Sequence, residues 1–185
     1  MVVVMASNHT RVVGIALAAL AVSTTATSVD AAPNRASAFR ADKQFGLGIM
    51  LGAPSGLSGK YFLDSKHAID FGVGAIGYYR GRDGLHLHLD YLIHPFSITN
   101  NPTFDLPLYF GIGGRLFNFD DNDNNDDRDG LALGVRAPLG VAFDFNRVPL
   151  DVFVELALVA DIFVGYNDDF GIDVNGAVGI RYWFQ

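Results

Sequence analysis

The sequence predicts an all-β protein: an eight-stranded, antiparallel, up-and-down transmembrane β-barrel. Three observations predict it. The stretch Phe170 to Phe184 places an apolar residue at every second position except Gly176, with small, polar or charged residues between. Side chains in a strand alternate faces, so this segment has one greasy face and one polar face. Seven further segments alternate in the same way. Finally, the second face is poor in the Lys and Glu that a soluble surface carries: beyond Lys43 there are only Lys60 and Lys66, and Glu155 is the single glutamate. A soluble periplasmic up-and-down barrel binding an apolar ligand would have the same alternation with the greasy face turned inward. The composition of the second face favours the membrane arrangement, with apolar residues toward lipid and polar ones toward the lumen.

The first 31 residues predict a cleaved export signal. Arg11 supplies the positive flank, and Val12 to Val22 form an uncharged run. Polar, small residues from Ser23 to Ser28 follow, and Val29-Asp30-Ala31 is a small-residue cleavage site. The run falls short of the ~20 apolar residues of a spanning helix. Met5 offers a second start. A polar lead-in covers residues 32–44, and the barrel is expected over 45–185.

The apolar positions of the eight segments set their frames. They are Phe45–Leu51, Leu57–Leu63, Ile69–Tyr79, Leu85–Ile93, Leu108–Leu116, Leu131–Phe143, Leu150–Ala160 and Phe170–Phe184. Turn chemistry separates them at Ala53-Pro54-Ser55-Gly56, Asp64-Ser65-Lys66, Gly81-Arg82-Asp83-Gly84, Asn100-Asn101-Pro102 and Asn146-Arg147. Pro138 lies inside the sixth segment, where a lost ladder bond predicts a bulge or bend. An even strand number puts both termini on the periplasmic side, so the long polar connection Asn118–Gly130 faces outward.

The chain has no cysteine and a net charge of −7. The first excludes disulfides, thiolate chemistry and attachment through a lipidated Cys; the second argues against nucleic acid as a partner. No cofactor is expected. With 21 glycines, the chain is too Gly-rich for helices.

The blocks Gly56–Phe62, Leu106–Leu116, Leu133–Gly140 and Asn175–Phe184 resemble the recurring blocks of a family of small, uncharacterised bacterial outer-membrane β-barrels. That family is related in architecture to the OmpX and OmpA barrel domains. The resemblance implies the fold and an outer-membrane address, with outer-membrane lipid and the barrel-assembly machinery as partners. It transfers no activity. Ile180, Tyr182 and Phe184 resemble the C-terminal signal that the assembly machinery reads, although Gln185 follows the aromatic that usually ends such chains.

The polar parity marks Lys60, Asp70, His86, His88, Asp90, Arg115, Arg136, Asp151, Glu155, Asp173 and Arg181 as lumen residues. Charges in so narrow a space must pair, which predicts a cross-linked plug; a narrow, gated conductance is the rival. His86, His88 and Asp90 share one strand face, as a metal site or a pH-sensitive pair would require, or simply as members of the network. The run with Asp120, Asp121, Asp123, Asp126, Asp127 and Asp129 predicts a solvated outer loop. Weak divalent-cation binding there is the functional alternative, since Asn125-x-Asp127-x-Asp129-Gly130 resembles the start of a calcium loop. No Ser follows Ser97 and no His follows His94, so an outer-rim Ser–His pair is hard to assemble and an enzyme is not expected.

Overall fold

The structure, a computed structural model, describes residues 37–79, 82–121, 128–164 and 170–184. Eight strands form a closed antiparallel barrel in sequence order. They are β1 (Phe45–Gly52), β2 (Ser55–Phe62), β3 (His67–Tyr79), β4 (Arg82–Asn100), β5 (Phe104–Asp121), β6 (Arg128–Phe145), β7 (Leu150–Val164) and β8 (Phe170–Phe184). β1 pairs with both β2 and β8, which closes the ring. The expected export signal, the centre of the acidic loop and Gln185 lie outside the described residues.

The registers fix how steeply the strands climb. Starting at Arg181, successive cross-strand partners are Gly48, Ser58, Gly72, His88, Arg115, Gly134, Asp161 and Gly171. The path returns to β8 ten residues from its start, 181 − 171. Eight strands with that stagger tilt by roughly 40° and enclose a bore that side chains alone can fill.

The alternation resolves as apolar outward. Leu89, Ile112, Leu156, Ile172 and Val174 are each about three-fifths exposed, and the apolar members of every strand share that face. The greasy-inward arrangement of a soluble barrel is therefore overturned. Toward the chain termini the outer face carries Phe45, Tyr61, Tyr91, Phe96, Phe110, Phe143, Tyr182 and Phe184, an aromatic girdle of the kind found at a membrane interface. Phe45 stacks on Phe184 across the closing pair, their centroids 5.7 Å apart.

Three expected details change. Pro138 causes no bulge: it sits opposite Ala157 in an unbroken β6–β7 register. On its other side the β5–β6 pairing lapses between Phe110–Leu139 and Gly113–Arg136, with the register unchanged. The bulges lie instead at Ile76/Tyr79 and, in β4, at Ile93/Phe96 and Ser97/Asn100, the first of these two around Pro95. Through them β4 runs to Asn100, well beyond the expected Ile93. The connection expected over Asn118–Gly130 is also shorter, because β5 continues to Asp121 and β6 starts at Arg128. Asp120 pairs with Asp129, and Asp121 with Arg128, as a hairpin.

The inner face obeys one packing rule. Large inward side chains sit across the ladder from glycines: Trp183 from Gly46, His88 from Gly72, Asp90 from Gly113, Tyr109 from Gly140 and Phe153 from Gly179. A Cβ on Gly140 would lie 2.4 Å from the Tyr109 ring, and one on Gly179 2.4 Å from Phe153. At the β1–β2 turn, Gly52 has φ +133°, and a Cβ there would stand 2.1 Å from the Gly176 carbonyl. Conformation and space both demand glycine at that position.

The β2–β3 turn is held by Asp64. Its Oδ1 accepts from the amides of Lys66 at 2.7 Å and His67 at 2.9 Å, and its Oδ2 meets His67 Nδ1 at 2.7 Å. The Lys66 amide, then the His67 contacts, lower the carboxyl from its ordinary 3.8 to about 2. A depressed folded value contributes stability above the unfolded one that is lost as pH falls toward the folded one.

Two outcomes are expected. Gly140→Val should destabilise the barrel by ~1–3 kcal/mol in urea titrations from vesicles, and Tyr109→Ala in the same chain should recover part of that loss. Asp64→Asn should be less stable than wild type at neutral pH, with the difference closing between pH 4 and pH 2; a pH-independent difference would refute the charge's role.

Candidate functional site: the charged lumen

The inward polar positions converge on a core made of ions. Nine Lys, Arg, Asp and Glu side chains are buried: Lys60, Asp70, Asp90, Arg115, Arg136, Asp151, Glu155, Asp161 and Arg181. Four are cationic and five anionic, so the described lumen is nearly balanced. An isolated ion in such a place costs several kcal/mol, which makes mutual pairing a condition of folding.

The lowest layer centres on Arg181. Its Nη1 donates to Asp70 Oδ2 at 2.5 Å, and its Nε to Asp151 Oδ1 at 3.2 Å. The guanidinium lies 4.1 Å from the centroid of the Phe153 ring. Lys60 joins from β2: its Nζ is 3.7 Å from Asp70 Oδ2 and 4.0 Å above the Tyr109 ring. Asp151 faces Arg181 directly across the β7–β8 ladder, so strand register alone supplies this contact. The Arg181–Asp70 bond instead spans the bore.

Above it, Arg136 bridges two strands. Its Nη2 donates to Glu155 Oε1 at 2.6 Å, and its Nε lies 2.8 Å from Asp90 Oδ2. The second contact is close but poorly aligned for a hydrogen bond. In the third layer Arg115 forks onto Asp161: Nε donates to Oδ1 at 2.8 Å while Nη2 meets Oδ2. Its remaining Nη1 donates to Asn175 Oδ1 at 2.9 Å. Bidentate pairing of this kind is the strongest form a carboxylate and an arginine can make.

The structure keeps two of the three residues that share a face of β4 together and turns the third away. His86 Nε2 contacts His88 Nδ1 at 3.1 Å, while His88 Nε2 leans toward Asp70, 3.9 Å away. Asp90 turns to Arg136 instead. Among the described residues no group of three His, Asp or Glu side chains is arranged to hold a metal ion. Asp173 has the inward parity but is only half-buried, and it makes no ion pair with a described residue. The side chains of Asp120, Asp121, Asp123, Asp126, Asp127 and Asp129 fall outside those described, and so does the cation-binding expectation placed on them.

Two partners escape the sequence reading. Asp161 shares the parity of Asp151 and Glu155, and extending the seventh segment by one residue would have found it. Asn175 carries no charge and so passes unnoticed, although it completes the Arg115 fork.

Apolar caps bound the charged layers. Near the termini, Phe39, Phe62, Leu92, Tyr109, Phe153 and Trp183 form one buried cluster. His94 joins it, 4.9 Å from Phe62 and 5.4 Å from Tyr109 between centroids. At the other end Ile76, Phe117 and Ala132 form a second buried cluster.

The architecture is similar to a solved structure, the crystal structure of the N-terminal β-barrel domain of Pseudomonas aeruginosa OprF. The match has a TM-score of 0.56 at 15% identity and covers 77% of this chain and 100% of that one. No protein-family model and no curated protein matches the chain. The similarity is one of fold: the eight-stranded barrel is shared, while the narrower family of small barrels has no such support.

Arg181→Leu should destabilise the barrel by ~3–5 kcal/mol, because Asp70 and Asp151 would keep their charges and lose a partner. Equilibrium unfolding followed by the mobility of folded and unfolded forms measures it. A loss below about 1 kcal/mol would mean the pairs are solvated.

Proposed function

We propose that this chain is an integral β-barrel of a bacterial outer membrane with a lumen sealed by its own ion pairs. Its role is then structural, or one of surface interaction through its acidic outward connections. The observation that carries this reading is the inverted distribution of side chains: exposed Leu, Ile, Val and Phe outside, and nine paired or contacted ions inside. A water-facing protein would gain by reversing it, whereas a lipid-facing one cannot. The fold shared with the OprF barrel domain is the same eight-stranded barrel.

On this reading the partners are outer-membrane lipid along the apolar belt and the assembly machinery at Ile180, Tyr182 and Phe184. These three side chains are outward and exposed at the end of β8. Divalent cations at the Asp120–Asp129 run remain a proposal drawn from its composition. No catalysis is assigned, since the lumen's charges neutralise one another.

One observation favours a narrow pore as the second reading. Asp90 and Arg136 touch without an aligned hydrogen bond, so none has to break for this pair to change partners. Planar-bilayer recording on the refolded protein separates the two. The sealed barrel gives a flat current trace, and Glu155→Ala leaves it flat. Reproducible unitary steps in wild type that change on Glu155→Ala or Arg115→Ala would replace the sealed barrel with the pore.

A further inference from the structure

The segment before β1 has a pattern that its polar composition hides. From Ser37 to Gln44 burial alternates: Phe39 is buried, Ala41 and Lys43 are partly buried, and Ala38, Arg40, Asp42 and Gln44 are exposed. This is strand-like alternation with almost no ladder. Ser37 makes an isolated bridge to Ser97, its amide donating at 3.3 Å and its carbonyl accepting at 2.9 Å. The Ala41 amide donates to the Ser65 carbonyl at 2.9 Å. Lys43 Nζ pairs with the Asp144 carboxylate and donates to the Phe145 carbonyl at 2.9 Å.

These anchors lie on β4, the β2–β3 turn and the end of β6. The segment therefore crosses the mouth of the barrel on the side of the termini. Phe39, only 3% exposed, drops into that mouth, its ring centroid 5.8 Å from Phe62 and 5.4 Å from His94. Phe62 in turn stacks on Trp183 at 5.6 Å, and Trp183 lies directly against the Gly46 backbone. A cleft of about 210 Å³, lined by Ala41, Lys43, Gln44, Phe62 and Asp64 among others, remains between this strap and the end of β2.

We propose that Ser37–Lys43 is a displaceable plug of the periplasmic mouth, seated by one aromatic side chain and one ion pair. The inference builds on the outer-membrane barrel reading and adds a control point to it. The barrel wall does not depend on the strap, because every strand from β1 to β8 has both neighbours without it. Releasing the strap breaks four backbone-directed hydrogen bonds and one ion pair and uncovers the aromatic floor. Behind that floor stand Lys60, Asp70 and Arg181. The strap thus sets access from the periplasm to the lowest charged layer, and a periplasmic partner that competes for Phe39 or Lys43 would open it.

The chain supplies its own reporter, since Trp183 is the single tryptophan and is 2% exposed. Acrylamide quenching of Trp183 in micelles, on chains proven folded by their shift in gel mobility on boiling, is the test. Wild type should be strongly protected. Phe39→Ala with Lys43→Ala, and separately deletion of Ser37–Lys43, should raise the quenching constant severalfold while the mobility shift persists. Phe39→Leu should stay close to wild type and guards against a double variant that fails to fold. Folded variants as protected as wild type would overturn the plug, leaving the floor sealed by Phe62, Tyr109 and Trp183 themselves. A wild-type chain that is itself quenched and shows no mobility shift would refute the barrel reading, a result distinct from failure of the plug.

Discussion

Closure of the hydrogen-bonded ladder is the constraint on which the rest of this protein depends. Eight strands and a stagger of ten residues leave a bore that side chains can fill, so what faces inward must pack and pair within it. On the proposed membrane reading, lipid outside can accept no backbone polar group, and a closed ring is the β arrangement that leaves none unpaired. Everything else follows from those two conditions. The outer face can be uniformly apolar because it needs no specificity. The inner face must be specific, and it is: Lys60, Arg115, Arg136 and Arg181 each lie across the ladder from a glycine and each meet a carboxylate.

This division of labour explains the layered interior. A wholly apolar lumen would give two apolar faces and lose the alternation that tells a strand which way to turn. Charges on the inner face make the wrong register costly, because a one-residue slip would put Arg115, Arg136 or Arg181 on the apolar outer face. The ion pairs need contribute little net stability to serve that purpose. Their value is in selecting one barrel over its slipped alternatives, while the ladder and the packed caps of Phe62, Trp183 and Phe117 hold it.

Strand number, parity and the inside-out polarity were legible in the sequence because period-two alternation is a local property. Lys60, Asp70, Arg136 and Arg181 could be assigned to the lumen by counting from their neighbours. Which charge meets which could not, because Arg181 and Asp70 are 111 residues apart and meet only through the stagger of the closed ring. The same holds for the strap: Phe39 looks like an isolated aromatic in a polar stretch until the mouth it enters exists. Pro138 misled for a related reason. It removes a donor, but at a point where β5 offers Gly111 and the pairing can lapse without a bulge. Asp161 lies one residue past the last apolar position of the seventh segment, where the parity still holds.

The central claim is that the greasy face of this barrel meets lipid and the charged face meets itself. Fractionation of cells expressing the full chain, followed by electrophoresis with and without boiling, tests it most directly. The account predicts recovery in the outer-membrane fraction and a band that migrates differently until boiled, as a closed barrel resistant to cold detergent does. Recovery in the soluble periplasmic fraction, with one mobility under both treatments, would contradict it.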